Sequence, residues 1–69
     1  MSPAEALFEY AMSASRSGWV SLTFACGTQF VVRKAVEGQR LGTGMAQARD
    51  GHDIMFDVTA LIAVMTLEP

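Results

Sequence analysis

The chain has 69 residues, of which 51% are hydrophobic and only 17% are charged, against a usual charged share of ~25%. This length allows one small domain, which buries only about 60% of its unfolded surface. The formal net charge of −2 and the pI of about 5.0 exclude a broadly basic nucleic-acid-binding protein, whose pI would exceed ~9, but they leave room for a local basic patch. The apolar excess predicts that part of the apolar surface lies between subunits.

The cysteine and histidine counts restrict how so small a domain can be stabilised. Cys26 is the only cysteine, and one histidine accompanies it, so neither an internal disulfide nor a structural zinc site is expected. Oligomerisation is the remaining device, and no metal or cofactor is predicted. The chain has no apolar run of ~18 residues and no signal-like start. With one unpaired cysteine, these features predict a cytoplasmic protein without a membrane partner.

Residues 3–16 are predicted to form a helix. Ser2, Pro3 and Glu5 match a capping box with proline at the first helical position, and Gly18 is a natural stop. An apolar stripe at helical spacing follows, formed by Leu7, Phe8, Ala11 and Met12. The stripe fits a partner-binding helix or a lid over the open end of a barrel, and packing statistics favour the lid.

The segment 18–37 is predicted to form a β-hairpin around a turn at Cys26-Gly27. In the first run, one face of the strand carries Val20, Leu22 and Phe24. In the second run, alternation assigns Phe30, Val32 and Val36 to the buried face, although Lys34 interrupts it, and Ala35 to the opposite face with Val31, Arg33 and Glu37.

The rest of the chain predicts three further strands, at residues 45–49, 52–58 and 60–67. A glycine-rich connection, 38–44, precedes them, and Asp50-Gly51 is a strong hairpin turn signal. Met45 and Ala48 are the expected core residues of the third strand. The fifth, Ala60–Leu67, is apolar on both faces, which is typical of a strand covered on both sides. In so short a chain, another subunit is the simplest cover for the second face.

Catalytic chemistry is not predicted. Asp50, His52 and Asp53 are the only clustered polar groups that could bind a metal or transfer protons, and the Asp-Gly turn signal favours a solvated hairpin turn instead. Cys26 has no nearby base in the sequence that would activate it as a nucleophile. We therefore expect a protein that is not an enzyme.

One helix followed by five short strands resembles the Sm/LSm family, whose bacterial branch is the Hfq proteins. The segment 20–27, VSLTFACG, looks like the first Sm strand and its turn, with Cys26 in place of the usual asparagine. The segments 54–58 and 61–64 look like the last two strands. The resemblance implies a mainly β fold with one N-terminal helix, an Sm-like (SH3-like), strongly bent, five-stranded antiparallel barrel.

The resemblance also implies a cyclic homo-oligomer, in which the fourth strand of one subunit pairs with the fifth strand of the next. Its expected interface residues are Ile54, Phe56, Ile62 and Val64. Three family features are missing here, and one of them is the Arg-Gly signature of the Sm proteins. Val32 stands near the glycine that helps bend the second Sm strand, and Asp57-Val58 replaces the Lys-His pair of Hfq. An aspartate where a cation should meet phosphate weakens the expectation that uridine-rich RNA binds in the central pore.

The function implied by the resemblance is binding of RNA or another single-stranded nucleic acid. Its candidate residues are Gln39 and Arg40, in the loop that Sm proteins use for RNA, and then Arg33 and Lys34. Ring symmetry could gather copies of Arg40 into a positive annulus. Trp19 could stack on a base, although a helix-to-strand corner is the more usual role. The alternative is a structural or protein-interaction ring without RNA function.

Overall fold

The computed structural model describes residues 2–67 and contains one helix followed by five strands. The elements are α1 (Pro3–Ala14), β1 (Val20–Phe24), β2 (Gln29–Glu37), β3 (Thr43–Ala48), β4 (Asp53–Asp57), a 3₁₀ turn (Val58–Ala60) and β5 (Leu61–Thr66). All pairings between neighbouring strands are antiparallel. The predicted mainly β class with one N-terminal helix is therefore confirmed, and the strand positions agree to within about two residues.

The five strands form one open sheet rather than a closed barrel. Their order is β4-β3-β2-β1-β5, so β4 and β5 are the two edges and do not pair with each other. The predicted barrel is therefore not closed within one chain. A sheet closes only when its two edges meet, and here each edge keeps a row of unpaired backbone groups.

A short connection nevertheless requires the sheet to curl. Only Val58–Ala60 separates the end of β4 from the start of β5. These residues span at most about 14 Å, whereas the edges of a flat five-stranded sheet lie about 19 Å apart. Backbone hydrogen bonds hold the connection in place: Ala25 N–H donates to Ala60 O at 2.7 Å, and Val58 N–H donates to Gly42 O at 2.9 Å. The curl brings the two edges to neighbouring positions on the domain.

Helix α1 covers the concave side of the sheet. Its buried residues are Phe8 and Ala11, and Leu7 and Met12 are half-buried against the same core. The helix is thus a lid on the sheet, as the apolar stripe predicts. The buried core consists of Phe8, Ala11, Val20, Leu22, Phe24, Val32, Ala35, Ala46, Val58 and Leu61.

Three phenylalanines join the helix to strands β1 and β4. The Phe56 ring lies 5.8 Å from the ring of Phe8 and 5.3 Å from that of Phe24. Gly44 makes this packing possible, because a Cβ atom there would approach ring atoms of Phe8 and Phe56 to 2.7 Å. Aromatic pairs of this kind contribute about 0.5–1.5 kcal/mol each beyond their buried area.

The helix ends earlier than predicted. It stops at Ala14, with Ser15 as its C-cap, and the predicted stop, Gly18, does not adopt a left-handed conformation. Ser15 is the buried polar residue of the core. Its carbonyl accepts a hydrogen bond from Lys34 N–H at 3.1 Å, and its Oγ accepts one from Ala35 N–H at 3.0 Å. Because the Ser15 carbonyl accepts from β2, it does not accept from an N–H of a further helical turn, and the helix ends here.

Strand β2 contains a bulge at Lys34 that sequence alternation does not reveal. Arg33 pairs with Gln47, and Val36 pairs with Met45, so two residues of β2 face one residue of β3. Lys34 has a φ of 56°, which is a left-handed conformation. The bulge shifts the alternation by one residue beyond this point.

The predicted faces of β2 are therefore wrong after Arg33. Ala35 is buried, whereas Val36 is 53% exposed on the convex side; Val32 is buried as predicted. In β3, Gly44 and Ala46 face the core, and the predicted core residue Met45 lies on the opposite face. The predicted inward face of β1, with Val20, Leu22 and Phe24, is confirmed.

We expect Ser15→Ala to lower the free energy of unfolding by about 1–3 kcal/mol, because it leaves the Ala35 N–H buried without a partner. Urea unfolding followed by circular dichroism would measure the loss. Ser13→Ala, at an exposed position on the last turn of the same helix, is the matched control and should change stability far less. Equal losses for the two variants would contradict the role of Ser15.

Substitutions of Lys34 test how much free energy the left-handed conformation in the bulge costs. A left-handed conformation costs an L-residue about 1–2 kcal/mol, and glycine escapes this cost. We therefore expect Lys34→Gly to be more stable than Lys34→Ala by about 1 kcal/mol, although glycine normally destabilises strands. Both variants lose the same charge, so the comparison isolates the backbone. A Lys34→Ala protein at least as stable as Lys34→Gly, by urea unfolding, would refute the strained bulge.

Candidate nucleic-acid interface

The four predicted nucleic-acid-binding residues fall in two separate places. Gln39 and Arg40 lie in the loop between β2 and β3, whereas Arg33 and Lys34 lie within β2. Gln39 and Arg40 line one cavity, and Lys34 lines a different, shallower one. The structure thus separates the sequence-based candidates into a loop site and a sheet site.

The loop site has a fixed backbone and mixed charge. Arg40 O accepts hydrogen bonds from the Thr43 hydroxyl at 2.7 Å and from Thr43 N–H at 3.2 Å. Gly42 supplies the left-handed residue that the turn needs, with a φ of 83°. The cavity beneath the loop has a volume of about 560 Å³, and Glu5 and Glu37 share its lining with Arg40. Two carboxylates beside one guanidinium make a weak anion site.

The sheet site contains a group of side chains that we call the tryptophan–arginine cluster: Trp19, Arg33, Gln47 and Arg49. The guanidinium carbon of Arg33 lies 5.0 Å from the centre of the Trp19 ring, and that of Arg49 lies 5.5 Å from it. The Arg33 Nε–H also donates to Gln47 Oε1 at 2.9 Å. Cation–π contacts and this hydrogen bond therefore position two guanidinium groups around one indole.

The cluster carries positive charge without a paired carboxylate. Among residues 2–67 the one salt-bridge contact is between His52 and Asp50, in the turn after β3, and it is an ion pair only when the imidazole is protonated. Lys34 adds a third cation next to Arg33 in the chain. The nearest carboxylate in register is Asp53, which pairs with Gln47 across β3 and β4. Both arginines are exposed, so their charges are available to an anion.

The polar turn between β3 and β4 is solvated. The Asp50 carboxylate accepts a hydrogen bond from His52 N–H at 3.0 Å and lies 3.1 Å from the imidazole Nδ1. The backbone hydrogen bond, followed by the imidazole, lowers the pKa of the Asp50 carboxyl. Within the part of the chain that the structure describes, no three His, Cys, Asp or Glu residues are grouped to hold a metal ion.

Cys26 lies exposed in the turn between β1 and β2. Its thiol donates a hydrogen bond to the Thr28 hydroxyl at 3.2 Å. When the sulfur ionises, the same hydroxyl can donate to the thiolate, and this lowers the pKa of Cys26. Thr28 is a hydrogen-bonding partner rather than a base that would remove the thiol proton.

Of the four predicted interface residues, three pack against the core of their own chain. Ile54, Phe56 and Val64 are half-buried there. Ile62 is 57% exposed, at the irregularity where the β1–β5 register shifts. An interface through β4 and β5 remains a prediction, and Ile62 is the member of the set most accessible to a partner.

Sequence reasoning missed Arg49 as a site residue and did not connect Trp19 to Arg33. Hairpin register was the available signal: because Val20 pairs with Val32, Trp19 falls beside Arg33. Arg49 follows from the register in which Val32 pairs with Ala48. The β2–β3 register depends on the length of the connecting loop and on the bulge in β2. Turn residues in the sequence do not reveal either of them.

Comparisons with models of protein families, with curated proteins and with solved structures find no significant match to this chain. In residues 2–67, no helix is long and apolar enough to cross a membrane.

The lowered pKa of Cys26 gives a test of the turn geometry. We expect Thr28→Val to raise the pKa, because the thiolate loses its hydroxyl donor. The midpoint of the pH–rate profile for iodoacetamide alkylation should then move to higher pH. Thr23→Val is the control, since Thr23 Oγ1 contacts Gln29 instead. An unchanged midpoint in Thr28→Val would contradict the contact.

Proposed function

We propose that this chain is the subunit of an Sm-like ring that binds single-stranded nucleic acid. The observation that carries the proposal is the pair of free edges, β4 and β5, at opposite ends of the strand order. These are the two strands through which the resembled family joins its subunits. The helix-first element order and the antiparallel pairing support the same assignment.

Both edge strands present apolar side chains that their own chain leaves uncovered. Met55 in β4 is 64% exposed, and Ile62 and Met65 in β5 are 57% and 67% exposed. Unpaired edges with apolar side chains associate readily with other strands, so natural proteins usually block or pair them. Pairing β4 of one subunit with β5 of the next satisfies both edges at once. This contact is head-to-tail and gives a ring when the rotation per subunit closes.

The nucleic-acid part of the proposal rests on the family resemblance and on exposed cations. The chain has five Lys and Arg residues against seven Asp and Glu residues, so one subunit attracts polyanions weakly. A ring repeats each exposed cation about its axis, and several copies can follow one strand. The acidic balance favours the second candidate, a ring that serves only as a structural or protein-interaction module.

Assembly is tested by light scattering on the purified protein. The wild type should have a mass several times the 7.4 kDa of one chain. Ile62→Asp should lower that mass, because it places a carboxylate on the paired edge while leaving the half-exposed position tolerable to the monomer. Val36→Asp is the matched control, since Val36 is 53% exposed on the central strand. A monomeric wild type, or equal dissociation by both variants, would refute the edge-paired ring.

The two candidate functions are separated by binding of a fluorescent oligouridine at low salt. A single-strand-binding ring should raise the anisotropy of the probe, and the binding should weaken with salt, since each neutralised phosphate contributes about −0.7 to the slope of log K against log salt. An oligomer that leaves the probe free would be the structural ring instead.

A further inference from the structure

We propose that the tryptophan–arginine cluster is the phosphodiester-binding site for single-stranded nucleic acid. This inference rests on the nucleic-acid function proposed above and moves the contact from the Arg40 loop to the face formed by the central strands. Arg49, which the sequence does not single out, becomes a principal contact together with Arg33. The cluster has three features that a phosphate site requires, and each follows from the geometry of the structure.

The first feature is two cations held near each other. Since their guanidinium carbons lie 5.0 and 5.5 Å from the same ring centre, they are at most about 10.5 Å apart. Like charges at this separation repel each other, and an anion bound beside both of them relieves that repulsion. With no carboxylate paired to either arginine within residues 2–67, the site has no internal counter-ion that a ligand must displace.

The second feature is preorganisation of the arginine side chains. The Arg33 Nε–H donates to Gln47 Oε1 at 2.9 Å. This leaves the terminal nitrogens of the Arg33 guanidinium free for phosphate oxygens. The planar guanidinium group binds phosphate through two parallel hydrogen bonds. Trp19 fixes the position of both groups, so less side-chain freedom is lost when the ligand binds. Trp19 is thus a positioning residue in this proposal.

The third feature is the place of the cluster in the sheet. Arg33 is in β2, Gln47 is in β3, and Trp19 directly precedes β1. These three strands lie between the edge strands β4 and β5. Edge pairing through β4 and β5 therefore leaves this face free. Both arginines are exposed, which suits an extended polyanion better than an enclosed small anion. Bases of a single strand can stack on exposed guanidinium planes, whereas those of a duplex are already stacked.

The loop site is the weaker alternative on electrostatic grounds. Arg40 shares its cavity with the carboxylates of Glu5 and Glu37. At the cluster, two arginines and the chain-adjacent Lys34 stand against two carboxylates: Asp53 is in register with Gln47, and Asp50, next to Arg49, already contacts His52. The local balance of charge therefore favours the sheet face for phosphate.

The test measures anisotropy of a fluorescent oligouridine with wild type, Arg33→Gln, Arg49→Gln, the loop variant Arg40→Gln and the control Arg16→Gln. Arg16 is exposed after α1 and outside the cluster, so its variant removes the same charge elsewhere. We expect Arg33→Gln and Arg49→Gln each to weaken binding about five- to tenfold near 50 mM salt and to reduce the salt slope by about 0.7, the contribution of one phosphate contact. Arg16→Gln should weaken binding less than about twofold.

Trp19 supplies an independent readout, because it is the only tryptophan of the chain. Excitation at the red edge of indole absorption should show a change in Trp19 emission when unlabelled oligouridine binds to the wild type. The change should follow the same binding curve as the anisotropy. Circular dichroism spectra of the variants should match that of the wild type, since all the substituted arginines are exposed.

The outcomes separate failure of the site from failure of the function. If the wild type binds and the two cluster variants behave like Arg16→Gln, the inference is overturned and nucleic-acid binding stands. A larger loss from Arg40→Gln than from either cluster variant would place the contact on the loop and likewise overturn the inference. A wild type that binds no oligouridine at low salt would overturn the nucleic-acid function and the site with it.

Discussion

Ser15 joins the carboxyl end of α1 to the bulge of β2, and the shape of the domain depends on this contact. The bulge frees the N–H groups of Lys34 and Ala35 from the usual strand ladder, and Ser15 accepts from both, at 3.1 and 3.0 Å. A buried N–H without a partner costs about 1–3 kcal/mol. A domain of this size has only about 3–10 kcal/mol of total stability, so one residue supports a large share of it.

The bulge has consequences well beyond its own hydrogen bonds. It redirects β2 and places Ala35, rather than a larger residue, under the helix end. It turns Val36 outward on the same face as Arg33, the face opposite the helix. The curled sheet then lets three residues connect its two edges. The geometry that supports the helix lid is therefore also the geometry that leaves β4 and β5 free for a partner.

Local signals predicted much of this fold because they act over a few residues. Ser2 caps α1 through the Glu5 N–H at 3.2 Å, and glycines at 27 and 51 adopt the left-handed conformation that their turns require. The bulge could not be predicted, because a lysine rather than a glycine occupies the left-handed position. The hydrogen bond from Lys34 to Ser15, nineteen positions earlier in the chain, offsets the backbone strain of Lys34.

The candidate site was predictable to a similar degree. Arg33 was identified from its charge, and Trp19 could have been placed beside it from the hairpin register. Arg49 could not, because its position depends on a loop and a bulge between β2 and β3. The sequence also suggested Arg40, whose surroundings include two carboxylates from distant segments. Charge patterns in a sequence identify cations, but only the fold shows which of them have acidic neighbours.

Amide hydrogen exchange measured at a high and a low protein concentration tests both parts of this interpretation. The first part is that Ser15 holds the bulge of β2 within the chain, and the second is the proposed pairing of the β4 and β5 edges between chains. We expect slow exchange of the Lys34 and Ala35 amides at both concentrations, because their acceptors lie within the chain. If the edges pair between chains as proposed, the outward amides of β4 and β5 should exchange slowly only at the high concentration. Edge amides that exchange equally fast at both concentrations, or Lys34 and Ala35 amides that exchange as fast as those of the 38–42 loop, would contradict this interpretation.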